Sequence, residues 1–120
     1  MLRASALTNK TDIDIQCVNG DAQSADKNIP FGPLLLAFAE AIANRNASGI
    51  TQTREALELA AGSQVVVEAA AVAANFQRMV RIADSIGIPV DNMTTELGQG
   101  VRSELGLEKF ASAQNTLASG

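Results

Sequence analysis

Hydrophobic side chains fall at steps of three and four over most of this chain, and the longest such run is Ser63 to Ile86. It contains no Gly or Pro and many residues that cost a helix little. Ser63 is placed to cap the unpaired N–H groups of a helix start. Gly87, with Pro89 two residues on, is placed to close the other end. From Val65 to Ala74 the run is apolar nearly all the way round, with Glu68 its one charge. A helix without a polar face is covered on several sides. The second half is amphipathic: Phe76, Met79, Val80, Ala83 and Ile86 recur at helical steps, with Gln77, Arg78, Arg81, Asp84 and Ser85 between them. The pattern predicts the central helix of an all-α domain.

Three shorter helices flank it. Pro33 suits the first turn of one, where its missing N–H leaves nothing unpaired. Leu35, Phe38, Ala39 and Ile42 mark its apolar face, Leu34 and Leu36 broaden that face, and Glu40 opens the other side. Residues 44–49 read as a loop. Thr51 or Thr53 then caps a short helix to Ala61, with Leu57 and Ala61 on its buried face, and Gly62 ends it. Past Pro89, Thr94 or Thr95 caps a fourth segment carrying Leu97, Val101 and Leu105 and ending near Gly106. Gly98 and Gly100 weaken it by roughly 1 kcal/mol each. Upstream, Ile13, Ile15 and Cys17 alternate with Asp12, Asp14 and Gln16, a weak strand pattern, and Asn19-Gly20-Asp21 is a turn signal. The expected organisation is a polar, mobile arm over residues 1–30, a bundle of about four helices over 31–110, and a tail over 111–120 that adds at most a turn around Phe110 before fraying.

Composition adds three constraints. Of 120 residues, 47% are apolar but only 3% aromatic, so the core is built from Ala, Val, Leu and Ile. Such side chains bury little area each, at about 25 cal/mol per Å². A thin core of this kind favours a second copy of the chain, hence a homo-oligomer. The net charge is -4 and the nine basic residues do not cluster, which argues against nucleic acid as a partner. No apolar run approaches the ~18–20 residues that cross a bilayer, and no apolar region follows Met1-Leu2-Arg3-Ala4-Ser5, so no membrane is expected and a cytoplasmic location is the default.

The order of signals from Leu35 to Pro89 resembles a known family. Leu36 to Ala41 reads Leu-Ala-Phe-Ala-Glu-Ala. After a variable loop come a threonine-led helix, a Gly-Ser junction, Val-Val-Glu-Ala-Ala-Ala-Val-Ala-Ala-Asn-Phe-Gln, Arg81 to Asp84 (Arg-Ile-Ala-Asp) and Gly87-Ile88-Pro89. The whole is similar to the C-terminal half of the alkylhydroperoxidase-like proteins of the carboxymuconolactone decarboxylase superfamily, and it covers roughly half of the chain. The resemblance implies an all-α, oligomeric protein of a group in which many members reduce peroxides. At Gln77 the family usually has Asn. The family's Cys-x-x-Cys and following His are missing: the chain has one Cys and no His. Peroxide reduction by a dithiol needs a thiolate to attack and a second thiol to resolve the sulfenic acid. The position that would resolve Cys17 is Gly20. The resemblance therefore implies a non-catalytic or partner-dependent subunit, with a dithiol half supplied, where one is needed, by a second polypeptide.

Two other functions remain open on the sequence. One is an enzyme of the decarboxylase type acting on a small organic acid or lactone, with Glu68, Arg78 or Arg81 around the anion. The other is a one-cysteine peroxidase using Cys17, although Asp12, Asp14 and Asp21 nearby would raise a thiol pKa and blunt it. Glu68 is the sharpest oddity: buried, it would suit a general acid; near the helix start and exposed, it is a macrodipole partner. Gln77, Arg78, Arg81 and Asp84 form a candidate polar cluster for a small molecule or an interface. No cofactor motif or metal-ligand spacing occurs, and Gly98 and Gly100 follow no strand, so they make no phosphate loop.

Overall fold

The computed structural model describes residues 8–9, 14–26, 29–89 and 95–117, without the side chains of Cys17, Asp26 and Leu117. The fold is all-α, with no strand among the described residues. The helices are α1 (Ala22–Asp26), α2 (Gly32–Ala43), α3 (Ala47–Ala61), α4 (Ser63–Ile86), α5 (Glu96–Leu105) and α6 (Gln114–Leu117). Short 3-10 turns cover Ile15–Asn19, Leu107–Lys109 and Ala111–Ala113. No helix among the described residues is long and apolar enough to cross a membrane. The chain divides into two compact units, Met1–Arg78 and Met79–Gly120, so the boundary falls inside α4.

In the first unit α2, α3 and the start of α4 meet at Phe38, Leu57 and Val66. Leu57 is fully buried. Leu34, Leu35, Ile42 and Ile50 pack around these three from α2 and α3, and Ala61, Val65, Ala69 and Ala70 from the α3–α4 junction. Phe38 and Leu57 lie on the faces the periodicity marked, whereas Ala39 and the marked face of the second half of α4, Phe76, Met79, Val80 and Ile86, are exposed. Gly62 alone separates α3 from α4, and its carbonyl accepts from the Val66 N–H at 3.4 Å. Ser63 is thus the first helical residue rather than the cap.

The α2–α3 connection is shorter than its polar composition suggests. Asn46 is the cap of α3: its side chain accepts from the Gly49 N–H at 3.1 Å and from the Ser48 hydroxyl at 3.0 Å. The helix therefore starts at Ala47, ahead of Thr51 and Thr53. Both threonine hydroxyls turn back onto helical carbonyls instead, Thr51 to Ala47 at 3.2 Å and Thr53 to Gly49 at 2.7 Å. An Asn cap one turn upstream outweighs the intrinsic helix cost of Gly49.

Upstream, the alternation at Ile15 and Cys17 folds as a 3-10 turn rather than a strand, and Ile13 lies outside the described residues. Two aspartates organise it. Asp14 accepts from the Gln16 N–H and Asp21 from the Gln23 N–H, and the buried Ser24 hydroxyl lies 2.7 and 3.1 Å from their second oxygens. Short side-chain-to-backbone bonds of this type favour turns over an isolated strand. Ile15 and Ala25 are buried. Helix α1 runs so close to α2 that a methyl group on Gly32 would collide with the Ala25 carbonyl.

Helix ends follow local chemistry. Gly87, at φ +66°, closes α4: its N–H reaches the Asp84 carbonyl and the Ile88 N–H reaches Ala83. The same double bond pattern ends α2, where Arg45 N–H reaches Ile42 and Asn46 N–H reaches Ala41. Here the left-handed residue is Arg45, at φ +53°, which carries a Cβ penalty that Gly87 does not. Arg45→Gly is expected to stabilise the chain by about 0.5–1 kcal/mol in urea or thermal unfolding, the strain relieved exceeding the added freedom of the unfolded glycine. A loss of stability would mean that the Arg45 side chain holds something the bond pattern does not require.

Candidate functional site

The second unit contains a cavity of about 450 Å³. Its walls come from the end of α4, the residues after it, α5 and the turns leading to α6. Thr95 caps α5 by accepting from the Gly98 N–H at 3.2 Å, and Gly106, left-handed at φ +62°, ends it. The chain after Gly106 makes two 3-10 turns, Leu107–Lys109 and Ala111–Ala113. Val80, Ile88, Leu107 and Phe110 supply apolar lining. Asp84, Arg102, Ser112 and Asn115 supply the polar groups.

Arg102 is the unusual member. It is only 7% exposed, and its Nη2 is buried without a hydrogen-bond partner among the described residues. Leaving a charged donor buried and unsatisfied costs on the order of 1–3 kcal/mol or more. Most arginines avoid this by extending the guanidinium to water. Sequence reasoning passed over Arg102. The signal was its helical position: it borders the face of Val101 and Leu105, one turn after Gly98, where a cation meets apolar neighbours rather than solvent.

The residues singled out from the sequence are divided between the two units. Asp84 lines the cavity with Arg102, and it is exposed. Arg81 is exposed and outside that lining. In the first unit, Gln77 is half-buried and Arg78 donates to the Asn75 side-chain oxygen at 2.9 Å. Glu68 is exposed and accepts from the Gln64 amide at 3.0 Å. It stands on an otherwise apolar groove of about 510 Å³, lined by Leu35 and Ala39 of α2 and by Val65, Ala69, Val72 and Phe76 of α4. The Cys17 backbone lies in the Ile15–Asn19 turn, and its side chain lies outside the described residues. Among the described residues no group of three or more His, Cys, Asp or Glu is placed to hold a metal ion.

Compared with known proteins, the chain matches no family model, no curated protein and no solved structure.

The energetics of Arg102 give a direct check. Replacing a buried, unpartnered cation by an apolar chain of similar length removes the desolvation cost and keeps the packing. Arg102→Met is expected to raise unfolding stability by about 1–3 kcal/mol, read from the urea midpoint at unchanged slope. A destabilised Arg102→Met protein would show that the guanidinium is satisfied in solution.

Proposed function

We propose that this chain is a self-associating helical subunit of the alkylhydroperoxidase-like kind, without a dithiol peroxidase site of its own. The run from Leu36 to Pro89 supports the kinship, and the single cysteine supports the missing chemistry. Any peroxide-reducing dithiol in the assembly has to come from a second polypeptide.

The observation that carries the self-association is the bare side of α4. Val72 is 57% exposed, Phe76 60% and Ile86 67%. They belong to a longer series, Val65, Ala69, Val72, Phe76, Met79, Ala83 and Ile86, spaced alternately four and three residues apart, in which Val65 and Ala69 also pack against the core and Ala83 is half-buried. Only a 3.5-residue repeat keeps such a seam on one line, and that repeat is the signature of helix-on-helix pairing. Ala69 and Ala83 give a partner helix room to approach. Glu68 is the one charge among the positions bordering the seam, so apolar burial rather than ion pairing drives contact. Fully covering a Val, Ile or Phe side chain contributes about 1.5–3 kcal/mol each. A second copy of the chain presents the same seam and is the occupant proposed.

Light scattering on the full chain at tens of micromolar is expected to give a mass of two chains or more. Phe76→Glu places a charge in the seam on an already exposed side chain, and should give single chains with helical circular dichroism retained. A folded single chain for the unaltered protein would overturn the proposal.

A further inference from the structure

The geometry points to the cavity beside Arg102 as a binding site for a small organic carboxylate with an apolar body. Three observations converge on that class. First, the cavity, at about 450 Å³, is in the range of small-ligand pockets. Second, Arg102, only 7% exposed as a residue, lines it, and its Nη2 has no hydrogen-bond partner among the described residues; Nη2 itself is closed to solvent, so a carboxylate reaches it only by moving what covers it. A planar fork of N–H donors matches a carboxylate, and a charge-assisted bond of this kind is about twice as strong as a neutral one. Third, Val80, Ile88, Leu107 and Phe110 offer a hydrocarbon or aryl group apolar surface that is largely exposed until covered, while Ser112 adds a hydroxyl.

Asp84 narrows the class further. It lines the same cavity, so a second negative charge on the ligand meets like charge. The site therefore favours a monoanion over phosphate or a dicarboxylate. The inference does not rest on self-association, although the seam residue Ala83 also lines this cavity.

The test uses benzoate as probe, benzamide as its neutral counterpart and inorganic phosphate as an anion without an apolar body. The chain has no Trp, so Phe110→Trp places a single indole in the cavity wall. Benzoate should change its emission saturably, while benzamide and phosphate at the same concentrations should not. Calorimetry on the unaltered chain should give the same benzoate affinity. Arg102→Met should weaken benzoate at least about tenfold. Its circular dichroism and urea midpoint show independently that it is folded, so loss of binding is not loss of structure. Asp84→Asn should tighten benzoate by about two- to fivefold. Equal benzoate affinity in the Arg102→Met protein, a phosphate response as strong as that of benzoate, or no heat and no emission change up to about 10 mM overturns the assignment. Failure of Asp84→Asn to tighten binding removes the charge selection given to Asp84.

Discussion

A helix of small apolar side chains has more surface to hide than one chain's other helices cover, and α4 lives under that constraint. Val66 is buried, and Val65, Ala69, Ala70 and Ala73 are half-buried. The opposite side of the same turns, Val67, Ala71 and Ala74, faces outward, and Val72 is exposed beside Val65. Alanine is cheap in a helix but buries little area, so the core at Phe38, Leu57 and Val66 depends on three large side chains. Each exposed Val or Phe on α4 is apolar area that contributes nothing until something covers it.

The helical skeleton was legible because its signals are local. The α4 span, the Pro33 start of α2, the Thr95 cap, the Gly106 stop and the left-handed Gly87 follow from residue chemistry within one turn. The boundaries that moved were also decided locally, by a competing residue. Asn46 captured the start of α3 ahead of two threonines, and Gly62 rather than Ser63 stands before α4. The Ile15–Asn19 segment misled because a two-step alternation over so few residues cannot distinguish strand from turn. Its aspartates carried the information, through bonds to their own neighbouring backbone.

The candidate site was less legible because a cavity is a product of tertiary packing. Asp84 was visible as a polar residue on an amphipathic helix. Arg102 was not, since its place beside the Val101 and Leu105 face does not by itself say what packs over it. It lines the cavity together with Leu107 and Phe110 from beyond Gly106, residues distant from it in helical pattern. The two halves of α4 thus face different tasks: the first completes an apolar core, and the second forms a wall beside a buried cation.

That division has a practical corollary for anyone dissecting the protein. The border between the units, after Arg78, is no linker but the middle of a continuous hydrogen-bonded rod. Severing it would create two new helix ends, each with as many as four backbone groups stripped of partners. Neither fragment would inherit a ready-made terminus, so the chain has two packing centres and no seam along which to cut it.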